Sequence, residues 1–94
     1  MTDNLNKKNI IKDRIRIVIR NRQGIVIDEE VKAVSSTNER GVFDVLPQHE
    51  NFISMIKETI TVHRTAGDKK ELKINQGIIK VYENEAYIYL DVTS

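Results

Sequence analysis

Between positions 14 and 20 the chain alternates strictly. Ile15, Ile17 and Ile19 fall on one side of an extended backbone, and Arg14, Arg16 and Arg20 fall on the other. This period-two pattern predicts a half-buried β-strand. Asn21 to Gly24 has turn chemistry, and Ile25, Val26 and Ile27 open a second extended run. Val31 and Val34 mark a third segment, which gives way to a polar loop from Ser35 to Arg40. The β-branched stretch Thr59 to Thr65 places Ile60 and Val62 on one face. Gly67-Asp68 then turns the chain, and Leu72 and Ile74 alternate on the return, which predicts a hairpin. Gly77 opens Ile78 to Tyr82, Glu83 to Glu85 turns the chain again, and Ala86 to Val92 brings it back. In that last run Tyr87 and Tyr89 face away from Ile88 and Leu90.

One stretch resists assignment. Phe52, Ile53, Met55 and Ile56 suit either a helical turn or a short buried strand. Helix does not run easily through Pro47, and Leu46 before it is biased to an extended backbone. No amphipathic helix longer than two turns is legible, and turn signals recur every 8–12 residues or so. That combination predicts an all-β protein. The expected architecture is a single β-sandwich of about eight to ten short, mostly antiparallel strands, with no helical hairpin at its C-terminal end. It would occupy residues 13–94, after a polar, flexible N-terminal segment at residues 1–12. The expected core is Ile15, Ile17, Ile19, Val31, Val34, Phe43, Leu46, Ile60, Val62, Leu72, Ile74, Ile79, Val81, Ile88 and Leu90.

Composition narrows the chemistry. The 94 residues include no cysteine, which excludes a thiol nucleophile, a disulfide framework and cysteine-based zinc sites. No apolar run approaches the ~20 residues needed to span a bilayer, and MTDNLNKKN has no secretory character. These features fit a reducing cytosol. The net charge of +1 conceals a basic N-terminal arm, with seven Lys and Arg against two Asp in residues 1–22. Lys12, Arg14, Arg16 and Arg20 therefore suggest one alternative, a small β-barrel module binding nucleic acid through its first strand. The five aromatic residues form no stacking platform, which favours a solvated strand face instead.

Catalytic signals are sparse. His49 and His63 lie on different elements, and nothing local sets a serine beside either. His49 next to Glu50 and near Asp44 has the residue types of an acid/base pair, but a histidine in a proline-containing loop is more often structural or interfacial. Asp28-Glu29-Glu30 reads as a solvated turn. Gly24, Gly41, Gly67 and Gly77 are too far apart for a phosphate-binding loop, and no metal motif occurs. No catalytic residue, cofactor or metal is expected.

Residues 41–49, GVFDVLPQH, and the order of the elements resemble the N-terminal β-sandwich of the epsilon subunit of rotary F-type ATP synthases, the delta subunit of the mitochondrial enzyme. That family carries a Gly-acidic-aromatic/aliphatic-Gly-aliphatic-aliphatic-Pro-Gly-His run, which Gly41, Phe43, Val45, Leu46, Pro47 and His49 match. Val42, Asp44 and Gln48 depart from it. Gly77 matches the last glycine of the family's Ser-Gly-Gly, where Asn75 and Gln76 replace the first two residues. The resemblance covers residues 13–92. It implies a non-catalytic rotor subunit of the central stalk, coupling the gamma subunit to the membrane c-ring on the cytoplasmic face of the membrane. It also implies that Gly41, Val42, Phe43, Asp44, Pro47, Gln48 and His49 form the partner interface. Family members usually continue into two C-terminal helices that brake ATP hydrolysis and in some members bind ATP. A chain ending at Ser94 is expected to do neither.

Overall fold

A computed structural model describes residues 13–90 of the chain. The expectations for a flexible segment at 1–12, for Lys12 and for the end of the last strand at 91–92 fall outside the described residues. Seven strands follow one another: β1 (Ile15–Asn21), β2 (Gly24–Val31), β3 (Ala33–Asn38), β4 (Gly41–Val45), β5 (Phe52–His63), β6 (Lys69–Tyr82) and β7 (Glu85–Leu90). Backbone pairing runs in the order β2-β1-β7-β6-β5-β3-β4, and every pair is antiparallel except β1 with β7.

The strands number seven because β5 and β6 are long, 12 and 14 residues, and each continues through an irregularity instead of stopping. Lys57 pairs with Gln76 and Glu58 with Ile74, so Asn75 has no partner in the ladder. Glu58 there adopts a left-handed φ of 75°. A bulge of this kind bends a strand and increases its twist. It carries both strands from one layer of the sandwich into the other. The first half of β5 and second half of β6 lie beside β7, β1 and β2, whereas the second half of β5 pairs with β3, which pairs in turn with β4. Of residues 51–57, ambiguous in the sequence, 52–57 are thus the start of β5.

The core fills the space between the layers. Ile15, Ile17, Ile19, Ile27 and Val31 meet Val34, Val45, Ile60 and Val62, with Ile56, Ile79, Val81, Ala86 and Ile88 completing the cluster. Phe43, Phe52, Leu72, Ile74 and Leu90 pack against it partly exposed. Leu46, expected in the core, is 55% exposed. Alternation along β4 sends Phe43 and Val45 inward, so the next residue points out, and Val45 takes the buried place.

Ser36 is the buried polar residue of this core, only 2% exposed. β3 pairs with β5 at Ser36–Ile60 and next at Thr37–Lys57, so the ladder skips Glu58 and Thr59. Ser36 Oγ reaches across and donates to the Thr59 carbonyl at 2.7 Å. The hydroxyl thus satisfies an acceptor at the bend. Gly77 lies beside the same bend: a Cβ there would sit 2.8 Å from the Tyr89 carbonyl oxygen. The obstacle is backbone, which cannot swing aside as a side chain can.

Two stability outcomes follow from the bend. Ser36→Ala should cost about 1 kcal/mol or somewhat more by removing the bond to a part-buried carbonyl. Gly-to-Ala changes at unstrained positions gain about 0.4–1 kcal/mol through the unfolded chain; Gly77→Ala should reverse that sign. Urea unfolding of each variant measures both, and unchanged midpoints would contradict the role given to the bend.

Candidate functional site

The segment from Gly41 to Asn51 leaves β4, rounds Pro47 and enters β5. Gly41 has φ 118°, which a side chain rarely tolerates, so the β3–β4 turn depends on glycine there. Val42 projects outward, 78% exposed. Phe43 turns in and meets Phe52 edge to face, with ring centroids 5.9 Å apart. Beyond Pro47 the chain closes a tight turn, in which the His49 N–H donates to the Leu46 carbonyl at 3.1 Å and Gln48 adopts φ 66°. The His49 ring lies 5.0 Å from that of Phe52, and Nδ1 stands 2.8 Å from the Glu50 carbonyl oxygen, so Nδ1 carries the proton in that bond. His49 bonds its neighbour's backbone rather than either carboxylate considered for it.

The loop is anchored from the β6–β7 turn. The Gln48 N–H donates to Asn84 Oδ1, and the Glu83 N–H donates to Asn51 Oδ1. Against one side of the loop opens a cleft of about 660 Å³ lined by Asp13, Arg14, Lys32, Leu46, Pro47 and Thr65. On the outer face of the β7-bearing layer, Ile53 and Met55 are 66% and 52% exposed, and with Ser54 and Ile78 they line a shallow apolar depression of about 220 Å³. Single exposed apolar side chains are ordinary, whereas these adjoin in a shared hollow. The predicted site residues are therefore together in one segment, with Gly41, Phe43 and Pro47 shaping it and Val42, Asp44 and Gln48 displayed. Sequence reading missed Ile53, Met55 and Ile78, because an extended run of apolar residues does not reveal which of its two faces is covered.

Pairing across β3, β4 and β5 creates a group that the sequence did not disclose. Ser35 Oγ donates to Asp44 Oδ1 at 2.6 Å and lies 2.9 Å from His63 Nε2. A serine does stand beside a histidine, not through local sequence but brought there across 28 residues by the β3–β5 ladder. The order of the bonds is not that of a nucleophile and base. Because the hydroxyl's one hydrogen goes to Asp44, His63 must supply the hydrogen of the other bond, so it cannot accept a proton from Ser35 in this arrangement. Among the described residues, no group of three or more His, Asp and Glu could hold a metal ion.

The basic stripe of β1 meets carboxylates. Arg16 makes two 3.0 Å bonds to Asp28 and a 3.6 Å ion pair to Glu85, and Arg14 lies 3.9 Å from Glu30. Asp28, Glu29 and Glu30 are part of β2, not a solvated turn. Alternation along β2 turns Glu29 to the opposite side, where it pairs with Arg64 at 3.2 Å. The Arg16 guanidinium holds the Asp28 carboxyl below its ordinary value of 3.8, chiefly through the hydrogen bond. Asp28 raises Arg16 in turn, and bonding to Glu85 together with burial pushes the Tyr87 hydroxyl up. Two arginines of the proposed phosphate-binding stripe are thus engaged within the sheet, and the nucleic-acid alternative finds no support.

These features define a β-sandwich domain with a braced loop and outward apolar side chains at one region of its surface. The family model described as "ATP synthase, Delta/Epsilon chain, beta-sandwich domain" matches residues 14–93, and the chain belongs to that family. It is 33% identical over 75 residues to the ATP synthase epsilon chain of a Nitratiruptor species, covering 79% of this chain and 58% of that one. It is 31% identical over 84 residues to the epsilon chain of Clostridium botulinum (strain Hall), covering 88% and 63%. The chain therefore spans less than two thirds of the length of these curated relatives. Its fold superposes with a TM-score of 0.78 on a chain of the Euglena gracilis mitochondrial ATP synthase (OSCP/F1/c-ring), at 20% identity over 83% of this chain and 51% of that one. A chain of the Tetrahymena thermophila central stalk/c-ring structure gives 0.68 at 9% identity, covering 84% and 64%.

The Arg16–Asp28 pair sets a pH dependence. Because the folded pKa of Asp28 is depressed, its stabilisation is full above the unfolded value near 3.8 and is lost as pH falls through the lower folded value. Asp28→Asn should therefore unfold more easily than the parent at pH 7, and the two should converge under strongly acid conditions. Parallel melting curves from pH 7 down to about 2 would show it; a gap that stays constant would refute it.

Proposed function

We propose that this chain is the sandwich of a non-catalytic rotor subunit in the central stalk of a rotary F-type ATP synthase. It binds the gamma subunit and the c-ring and so couples ring rotation to the stalk during ion-driven ATP synthesis. The observation that carries this reading is the family match over residues 14–93. The descriptions of the two structural neighbours name a c-ring, which supports the choice of partner. As part of that assembly the chain sits peripherally at the cytoplasmic face of the membrane, and it needs no cofactor.

The interface we assign is the segment carrying Gly41, Val42, Phe43, Asp44, Pro47, Gln48 and His49. Exposed Val42 and Leu46 supply apolar contact there, and the Ile53, Met55 and Ile78 hollow offers a second adhesive surface. A subunit that transmits torque needs surfaces that do not yield. A close-packed sandwich meets that need better than a free loop does.

The test is affinity for gamma bound to the c-ring of the same organism. Val42→Asp and Leu46→Asp each place a charge where contact is expected and should weaken binding by about tenfold or more, with melting temperature little changed. Gln23→Asp, in the β1–β2 turn, should bind as the parent does. Equal affinity for all four proteins would remove the segment from the interface, and failure of the parent chain to bind would reject the rotor reading.

A further inference from the structure

Asn84 joins three parts of the chain that are far apart in sequence. Its Oδ1 accepts the Gln48 N–H at 2.8 Å, its Nδ2 donates to the Arg14 carbonyl at 2.9 Å, and its own carbonyl accepts the Arg16 N–H at 3.4 Å. Half-buried in the β6–β7 turn, it reaches the loop after Pro47 on one side and the start of β1 on the other. A second bond runs in the opposite sense, the Glu83 N–H of the turn donating to Asn51 Oδ1 of the loop at 3.0 Å.

The Gln48 bond matters most because of where it falls. Gln48 adopts φ 66°, a conformation disfavoured for residues with a Cβ by roughly 1–2 kcal/mol. Such a residue persists where its surroundings fix it, and here the Asn84 bond acts beside the His49 N–H bond to the Leu46 carbonyl that closes the turn. Asn84 holds its own φ of 64°, which asparagine tolerates better than most residues. The strained position in the loop is thus held by a side chain outside it. That side chain is fixed in turn by the Arg14 carbonyl, just before β1, and its backbone carbonyl by the Arg16 N–H of β1.

We infer that Asn84 is a positioning residue: it presets the Leu46–Asn51 loop in the form presented to a partner. The inference rests on the reading of that loop as an interface. A preset loop avoids the ordering cost that a mobile one incurs on binding. Asn84 itself need touch no partner.

Asn84→Gly is the discriminating variant, since glycine keeps the positive φ and preserves the β6–β7 turn while deleting both side-chain bonds. Asn84→Asp retains an acceptor for Gln48. In the full chain, solvent exchange of the Gln48 amide, followed by NMR, should accelerate about tenfold in Asn84→Gly, while the amides of Ile79, Val81 and Ile88 keep their protection. Asn84→Asp, which keeps the acceptor but loses the donor to the Arg14 carbonyl, should leave Gln48 better protected than the glycine variant does. Affinity for the gamma–c-ring assembly should fall about tenfold in the glycine variant and by less in the aspartate variant. Unchanged Gln48 exchange, or acceleration spread evenly through the sheet, overturns the inference. So does unaltered affinity once the Gln48 amide has been freed. If the parent chain fails to bind while Gln48 exchange still responds, the interface reading falls and the control of the loop by Asn84 stands.

Discussion

The bend shared by β5 and β6 is the constraint on which the sandwich depends. Seven strands joined edge to edge would otherwise form an open sheet with one apolar face against water. By bending where Glu58 takes a left-handed backbone and Asn75 drops out of the ladder, the two longest strands fold that sheet onto itself. The cost is an interrupted β3–β5 ladder, and Ser36 offsets it with a hydroxyl that bonds the Thr59 carbonyl. Gly77 admits the close approach of the β7 backbone at the same level. Three residues with small side chains or an uncommon backbone angle therefore make possible the burial of more than a dozen aliphatic ones.

The outer faces of the two layers differ in chemistry as a result. Beyond the bend, β5 and β6 carry Thr61, His63, Lys69, Glu71 and Lys73 outward, beside Ser35 and Asp44 of β3 and β4. Before it, the outward residues are Ile53, Met55 and Lys57 of β5 with Ile78 and Lys80 of β6, beside Tyr87 and Tyr89 of β7, beyond which stand the paired charges of β1 and β2. The lysines on the free side of β6 suit an edge that must not recruit another strand. Apolar groups displayed on the other layer have no such protective role. Their exposure is more economically explained by contact.

Local periodicity made most of the fold legible. Ile15, Ile17 and Ile19 announced β1 without ambiguity, and the turns at Gly67-Asp68 and Glu83-Asn84 stand where their residue types placed them. What local pattern does not encode is pairing between distant strands. The Asp28-Glu29-Glu30 run looked like a turn because three adjacent acids are unusual in a strand. Their place in β2 makes sense only once Arg16 is known to pair with Asp28 on one face and Arg64 with Glu29 on the other. The Ser35–His63 contact escaped for the same reason. Leu46 was misjudged differently, since its hydrophobicity argued for burial while the alternation of β4 had already assigned the inward place to Val45. The segment 41–49 was legible as a unit through its glycine, proline and histidine, whereas its bracing by Asn84 and Asn51 depends on a turn more than thirty residues away.

That bracing joins the fold to the proposed work. A loop projecting from two strand ends transmits force poorly if its backbone can rotate, because the load is absorbed by changing φ and ψ. Here the strained turn at Gln48 is bonded to the β6–β7 turn, which is bonded to β1, which lies between β2 and β7 in the sheet. A displacement of the loop must therefore break hydrogen bonds to the framework or move a close-packed layer with it. The latter resists deformation because its interior has no free volume to yield. A domain folded over at the β5–β6 bulge can thus hold a rigid core and a rigid projecting loop in fewer than a hundred residues.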